Sequence, residues 1–445
     1  MSFVDEITAD LRKVYLEDSR PWIVGFSGGK DSTMLVQLIY YMLKKMDPAV
    51  RHKPIYILAA DTRVESPFIA TRMSKELDLI GATAQKDGMP IITTLLYPKL
   101  NDTFWVNLIG RGYPSPRTYF RWCTDRLKIR PVSNFVKSVV DRSGFVIMVL
   151  GVRKEESATR ARTMSALEID SQRFRPHPTL QKAWVYTPIE HLTTNEVWIY
   201  LLQVPSPWGG DNKGLVTLYK RAAGGEECPL VIDTSTSSSC GQSRFGCWTC
   251  TVVKSDYSME ALVGLGEHQM EPLLEFRNHL KQIRDLPGVR QDKRRNGQAA
   301  YNRRGELMKG KGPFTHETRQ DLLIRLLEAQ HKSGITLIEG DELSTIQQIW
   351  SREENNPQPV DTVHRIWKQV FKEKPMLNKA KEEEDYLDKE DVLLQKVCEQ
   401  HGVSFEMMRR LRDIEEQYGH LKRRHGLPNE MREVVQQEAN TAAGD

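Results

Sequence analysis

The sequence predicts an α/β protein in which a parallel-sheet domain is followed by a cysteine-rich insertion and a helical C-terminal region. Three observations carry this reading. Apolar strand-like runs alternate with helical periodicity between about residues 22 and 200. Polar residues close those runs, as at Phe26-Ser27 and Ala60-Asp61, which is how a parallel sheet presents a site along one edge. From about Ala222 the composition turns to glycine, cysteine and serine, and later to charged helical sequence.

Taken in order, residues 1–20 read as an amphipathic helix and Pro21 leads into a strand, Trp22 to Phe26. A glycine turn follows, then a helix from about Asp31 to Lys45 with apolar Met34, Leu35, Leu38, Ile39, Tyr41 and Met42. A second strand, Pro54 to Ala60, ends at Asp61, and a third, Phe145 to Leu150, ends at Gly151. The expected divisions are 1–222 for the sheet domain, 223–260 for the cysteine-rich segment and 261–445 for the helical, partly basic remainder. The run Thr234 to Ser239 has too little apolar surface to hold itself and needs a ligand or partner. Helical periodicity returns at 255–285, 315–332 and 341–353, with a basic stretch at 288–312, a linker at 353–357 and a fraying tail after Gln437.

With 445 residues, 39% hydrophobic and 27% charged, the chain is an ordinary soluble composition long enough for two or three domains. The N-terminus lacks an apolar signal region, and the most apolar stretch, Gly144 to Val152, is too short to span a bilayer. A cytoplasmic protein with no membrane partner is expected. A net charge of +4 means that any nucleic-acid role rests on local patches.

The sharpest motif is Ser27-Gly28-Gly29-Lys30-Asp31-Ser32, set between a strand and a helix. Gly28 and Gly29 let backbone approach phosphate oxygens without a Cβ in the way. The helix behind them offers free N–H groups and its positive dipole end, while Ser27, Ser32, Thr33 and Lys30 add donors and charge. It is not a Walker loop, which needs four residues between its glycines. The motif resembles the signature of the PP-loop (adenine nucleotide alpha hydrolase-like) family, whose members cleave ATP between the α and β phosphates and release pyrophosphate.

Four further segments resemble the adenylylsulfate and phosphoadenylylsulfate reductases of that family. They are Asp61-Thr62-Arg63 to Pro67, with Arg63 at a glycine position; Arg121-Trp122-Cys123 to Lys128; Gly151-Val152-Arg153 to Ser157 with Arg160; and Pro188-Ile189 with Thr193, Glu196, Val197, Trp198 and Tyr200. The resemblance implies an ATP site at Ser27, Gly28, Gly29, Lys30, Asp31, Ser32, Asp61 and Gly151. Arg126, Lys128, Arg153 and Arg160 are the cations suited to phosphate or sulfate. Asp31 and Asp61 are the candidate Mg2+ ligands, with helix capping the plain alternative for Asp31.

Cys228, Cys240, Cys247 and Cys250 give the spacing C-x11-C-x6-C-x2-C. Four thiolates can enclose one metal centre. Zinc prefers two paired knuckles and only one pair exists, so a 4Fe–4S cluster is expected ahead of zinc, with a Cys247/Cys250 redox disulfide or buried inert thiols as alternatives. Cys123 stands beside Arg121 and Arg126, which would favour its thiolate. That suits a persulfide carrier or a nucleophile, and a fifth cysteine of the ligand region or a structural role stays open. Cys398, in a helical stretch, reads as core.

Between Gly288 and Gly312, eight cations (Arg290, Lys293, Arg294, Arg295, Arg303, Arg304, Lys309, Lys311) stand against Asp292 and Glu306, with Tyr301 interleaved. That density can neutralise a run of phosphates, and a solvated loop is the bland alternative. The order of PP-loop domain, Ser239 to Val253, basic loop, Gly312-Pro313-Phe314-Thr315 and a helix ending Leu326 to Gln330 resembles the DndC family of DNA phosphorothioation sulfurtransferases. That resemblance implies DNA as partner, with a cysteine desulfurase as sulfur donor and other Dnd proteins. It also implies the cofactors ATP, Mg2+ and a 4Fe–4S cluster, and catalytic roles for Asp31, Cys123, Arg126, Arg153 and Arg160. A phosphoadenylylsulfate reductase, a tRNA thiolase and a non-enzymatic ATP-binding DNA-assembly subunit remain rivals.

Overall fold

The computed structural model describes residues 3–118, 120–156, 173–222, 246–286, 288–293, 299, 301, 307–353, 358–372, 389–419 and 427–442. The chain divides into two compact units, Met1–Asn378 and Lys379–Asp445. The expected divisions at 222 and 260 therefore fall inside the first unit.

Within it a six-stranded sheet runs in the order β3-β2-β1-β4-β6-β5. The strands are β1 (Trp22–Gly25), β2 (Ile55–Ala60), β3 (Ile91–Leu96), β4 (Val146–Val149), β5 (Arg175–Pro176) and β6 (Ala183–Tyr186). All pairs are parallel except β5–β6. Trp22 pairs with Ile55 on one side and Ile147 on the other, so β1 lies between β2 and β4. Crossovers leave β1 in opposite directions there, and the crevice at that switch point is where α/β sheets place ligands.

Both faces of the sheet are covered, as a parallel sheet requires. Trp22, Val24, Ile55, Ile57, Ile147 and Val149 face one core, shared with α1 (Phe3–Glu17), α2 (Lys30–Lys44) and α3 (Pro67–Lys86). Their alternates Ile23, Leu58, Val146 and Met148 face the other, closed by Val136 and Val139 of the helix Arg130–Ser143.

Three strands had not been expected, so the run at 146–149 is the fourth strand rather than the third. β3 is half-exposed along most of its length and β5 has two residues, which leaves too weak a burial pattern to read from sequence.

A separate core joins Phe104, Trp105, Leu108 and Trp122 to Trp248, Phe276, Leu323, Leu326 and Trp350. The helices Tyr257–Gly264, Glu271–Ile283, His316–Ser333, Gly340–Ser351 and Thr362–Phe371 belong to that side of the first unit. They pack on the sheet domain's own residues 104–127, within the same compact unit.

The second unit holds the helices Lys389–His401, Phe405–Gly419 and Leu427–Ala442. Cys398 is buried as expected, and the last helix runs past Gln437, the expected fraying point, to Ala442. No helix among the described residues is long and apolar enough to cross a membrane.

Candidate nucleotide and cysteine sites

The loop after β1 lies at the switch point. Gly28 adopts φ of 70°, and a Cβ there would stand 3.3 Å from Met73 Cβ, so the position requires glycine on both counts. The Ser27 N–H donates to Ser32 Oγ (3.2 Å), and Ser32 Oγ donates to Gly29 O (3.1 Å). Gly29 is the N-cap of α2 and makes no side-chain cap, so Asp31 does not cap the helix. Thr33, expected among the hydroxyl donors, is instead fully buried, with Oγ1 unpartnered.

Asp31 is clamped. Its Oδ2 accepts from Lys30 Nζ at 3.0 Å and its Oδ1 from Arg153 Nε at 2.5 Å. Arg153 is 1% exposed and also donates to Glu155 Oε2, Leu192 O and Thr194 Oγ1. The Thr193/Glu196 capping box fixes the helix Thr194–Gln203 that supplies Thr194. Gly151 brings the end of β4 against α2, where a Cβ would lie 3.1 Å from Asp31 O. Arg153 thus holds Asp31 and the helix start rather than facing solvent. Asp61, at the end of β2, accepts the Arg63 N–H at 2.8 Å, and burial raises its pKa.

One residue of this site escaped the sequence reading. Tyr219, on the helix Asn212–Ala222, packs edge-on to Trp198 at 5.0 Å, and Lys30 Nζ lies 5.5 Å over its ring. Its hydroxyl takes the Lys30 backbone N–H, and burial followed by the nearby Asp31 pushes its pKa up to about 12. A Cβ at Gly29 would meet that hydroxyl at 3.2 Å. No local pattern links Tyr219 to the loop; the only sequence signal is Trp198, which turns out to be its packing surface.

The cysteine site is built on the loop after β2. Trp248 N–H donates to Val64 O and Ser66 N–H to Gly246 O, so 246–248 pairs antiparallel with 64–66. Cys247 Sγ lies 3.5 Å from Thr62 Oγ1 and 3.7 Å from Glu65 Oε1, which also accepts from Lys128 Nζ at 2.8 Å. Cys123, Cys247 and Cys250 come near enough to act on one another electrostatically.

The expected activation of Cys123 is overturned. Burial, then Cys250, raises its pKa, because Arg121 is exposed and Arg126 turns to Asp102 and the Tyr113 hydroxyl. Arg126 is accordingly an anchor of the 102–113 segment. Burial and the Glu65 carboxylate push the Cys247 thiol well above its ordinary range.

Cys228, Cys240 and Arg160 lie outside the described residues, as do Arg294, Arg295, Arg303 and Arg304. Among the described residues no three His, Cys, Asp or Glu side chains stand close enough to hold a metal ion. Cys123, Cys247 and Cys250 are therefore neighbours that do not by themselves enclose a metal ion.

Residues 21–253 match the phosphoadenosine phosphosulfate reductase domain model, just over half of the chain. The chain belongs to this family. An uncharacterized protein of Methanocaldococcus jannaschii, MJ0066, is 28% identical over 198 residues, 44% of this chain and 35% of that protein, so the chain spans about a third of its relative's length. Among solved structures, the phosphoadenylyl-sulfate reductase of Candida auris matches at 13% identity over 45% of this chain and 84% of its own, TM-score 0.27. The U34-tRNA thiolase NcsA of Methanococcus maripaludis, solved with its [4Fe-4S] cluster, matches at 14% over 63% and 80%, TM-score 0.29. At those scores the two likenesses decide nothing about this chain. The nucleotide loop, Arg153 and the Cys247/Cys250 pair all lie within the matched residues.

Proposed function

We propose that this chain is an ATP-dependent sulfurtransferase with ATP pyrophosphatase activity that modifies DNA backbone phosphate. The observation that carries the reading is the Ser27–Ser32 loop at the β1/β4 switch point in a reductase-family domain, with the cysteine pair on the adjacent strand loop. A non-bridging oxygen of the DNA phosphate attacks the α-phosphorus of ATP, the α–β bond breaks and pyrophosphate leaves. A sulfur nucleophile then forms the P–S bond as the P–O bond to AMP breaks, which converts a poor leaving group into a good one. When that nucleophile is a cysteine persulfide filled by a cysteine desulfurase, its terminal sulfur forms the P–S bond. A second thiol then attacks the inner sulfur, breaking the S–S bond to release the phosphorothioate and leaving a disulfide.

Ser27, Gly28, Gly29, Lys30 and Ser32 would hold the phosphates. Asp31 and Asp61 would supply carboxylate to Mg2+, which neutralises phosphate charge when bound. Cys228, Cys240, Cys247 and Cys250, with Cys123 beside them, would hold a 4Fe–4S cluster. The basic segment 288–312 supports DNA as acceptor, with other Dnd proteins as partners.

Purified protein should convert ATP to AMP and pyrophosphate, and Ser27→Ala with Asp31→Ala should abolish this in a folded protein. Release of ADP and orthophosphate would overturn the reading. The family's own description favours a second reading, reduction of a sulfonucleotide. Release of sulfite from phosphoadenylylsulfate, with no phosphorothioate in DNA digested for mass spectrometry, would establish it.

A further inference from the structure

A cavity of about 510 Å3 opens at the C-terminal ends of β2 and β3. Its walls come from the loop after β2, the start of α3 and residues 335–342, and no residue of the nucleotide loop lines it. Five carboxylates (Asp61, Glu65, Glu339, Asp341 and Glu342) face it against one cation, Arg63.

That cation is already engaged. Arg63 Nη1 lies 3.2 Å from both oxygens of Asp341 and 4.0 Å from Glu342 Oε2. Its backbone sits at φ of 61°, a strained conformation for a side chain of this size.

Glu342 is the residue without an answer. It is 1% exposed, and its Oε2 accepts the Glu339 N–H at 3.1 Å. Its Oε1 has no hydrogen-bond partner, since the neighbouring Thr103 hydroxyl donates to Leu100 O. A buried carboxylate oxygen left unpaired costs free energy that an N–H donor recovers. Even with Glu342 neutral, four carboxylates stand against Arg63, and such an excess around a concave wall draws in cations.

We propose that this cavity binds a guanidinium or alkylammonium group, with N–H donors to Glu342 Oε1 and the Asp341 carboxylate. A bare metal ion fits less well, because among the described residues no three carboxylates approach closely enough to enclose one. The volume accommodates an extended amine or a long basic side chain. Tyr97, half-exposed at the wall and 5.9 Å from the Arg63 guanidinium, offers a ring face to such a cation. The location gives the site a role. Glu65 lines the cavity and also touches Cys247, so a bound cation lies one side chain from the cysteine site, where a basic segment of a sulfur-delivering partner would approach.

The same chemistry arrives from a free polyamine or from a Lys or Arg side chain of a protein. Calorimetric titration of the full chain, without nucleotide, with spermidine and with a short Arg- and Lys-bearing peptide separates the two. At least one probe should saturate a single site, and Glu342→Gln and Asp341→Asn should each weaken it by about tenfold, the scale of one charge-assisted hydrogen bond. Tighter spermidine identifies a free amine and tighter peptide a partner's side chain. The proposal is overturned if neither probe saturates, or if both bind equally to wild type and to two variants whose melting shows them folded. Because ATP is absent from the titration, its failure leaves the pyrophosphatase reading untouched.

Discussion

Replacing Glu342 by Gln should stabilise the first unit at neutral pH and not in acid. Burial raises the Glu342 carboxyl from its ordinary 4.5 to about 7, with the Glu339 N–H and Arg63 opposing that and Asp341 adding to it. The folded state therefore holds this proton more tightly than the unfolded chain does. Below the unfolded value both states are protonated and nothing is lost. As pH rises through the window to about 7 the unfolded chain ionises first, and stability falls; above it the loss is constant.

A shift of that size corresponds to about 3 kcal/mol at full ionisation, of which about 2–3 kcal/mol should develop between about pH 5 and about pH 8. Gln keeps the side-chain shape and the acceptor for the Glu339 N–H but carries no charge. The difference in unfolding free energy between variant and wild type should therefore widen by that amount across the window. Urea melts followed by tryptophan fluorescence suit the measurement, since all nine tryptophans lie in the first unit and report it alone. A difference that stays flat with pH, or narrows, would refute the claim that Glu342 is buried without adequate compensation.

Tyr219→Phe keeps the ring against Trp198 but frees the Lys30 N–H, which phosphate would then satisfy; the KM for ATP should fall by about threefold to tenfold with kcat little changed, and an unaltered KM would count against the contact. Anaerobically prepared protein should contain iron and sulfide, and Ser at Cys228, Cys240, Cys247 or Cys250 should lower the iron content while Cys398→Ser, in the other unit, should not; stoichiometric zinc without iron would exclude the cluster. Reversing Arg294, Arg295 and Arg303 to Glu should abolish DNA phosphorothioation in cells and leave the basal ATP reaction intact, whereas thionucleosides in tRNA would redirect the reading.

What was legible in the sequence was local. Ser27–Ser32 declares itself because turn, cap and dipole are made by neighbouring residues. β1, β2 and β4 were visible because both their faces are buried and their apolar runs are unbroken. β3 was lost because an edge strand buries only part of its surface. Cys123 was misread for a related reason. Sequence proximity to Arg121 and Arg126 suggested an activated thiolate, yet the arginines turn elsewhere and burial decides. Nothing along the chain ties Tyr219 to Gly29, or Cys123 to Cys250; only the fold does.

The two candidate chemistries share one scaffold more closely than their separation in sequence suggests. Residues 223–245 leave the helix that carries Tyr219 and rejoin at Gly246, whose carbonyl accepts the Ser66 N–H. Their flanks are thus fixed at the nucleotide loop and at the loop after β2. Trp248 then anchors the cysteine pair by packing against both Trp105 and Phe276, at 5.7 and 6.0 Å. A phosphate that claims the Lys30 N–H must displace the Tyr219 hydroxyl, and any resulting movement of the helix Asn212–Ala222 acts directly on the start of the cysteine-rich segment. Cys247 is held against such movement by Thr62, Glu65 and the backbone of Val64. The alkylation rate of Cys247 should therefore change little when ATP binds, and a large ATP-dependent change there would refute the hold that Thr62, Glu65 and the Val64 backbone exert.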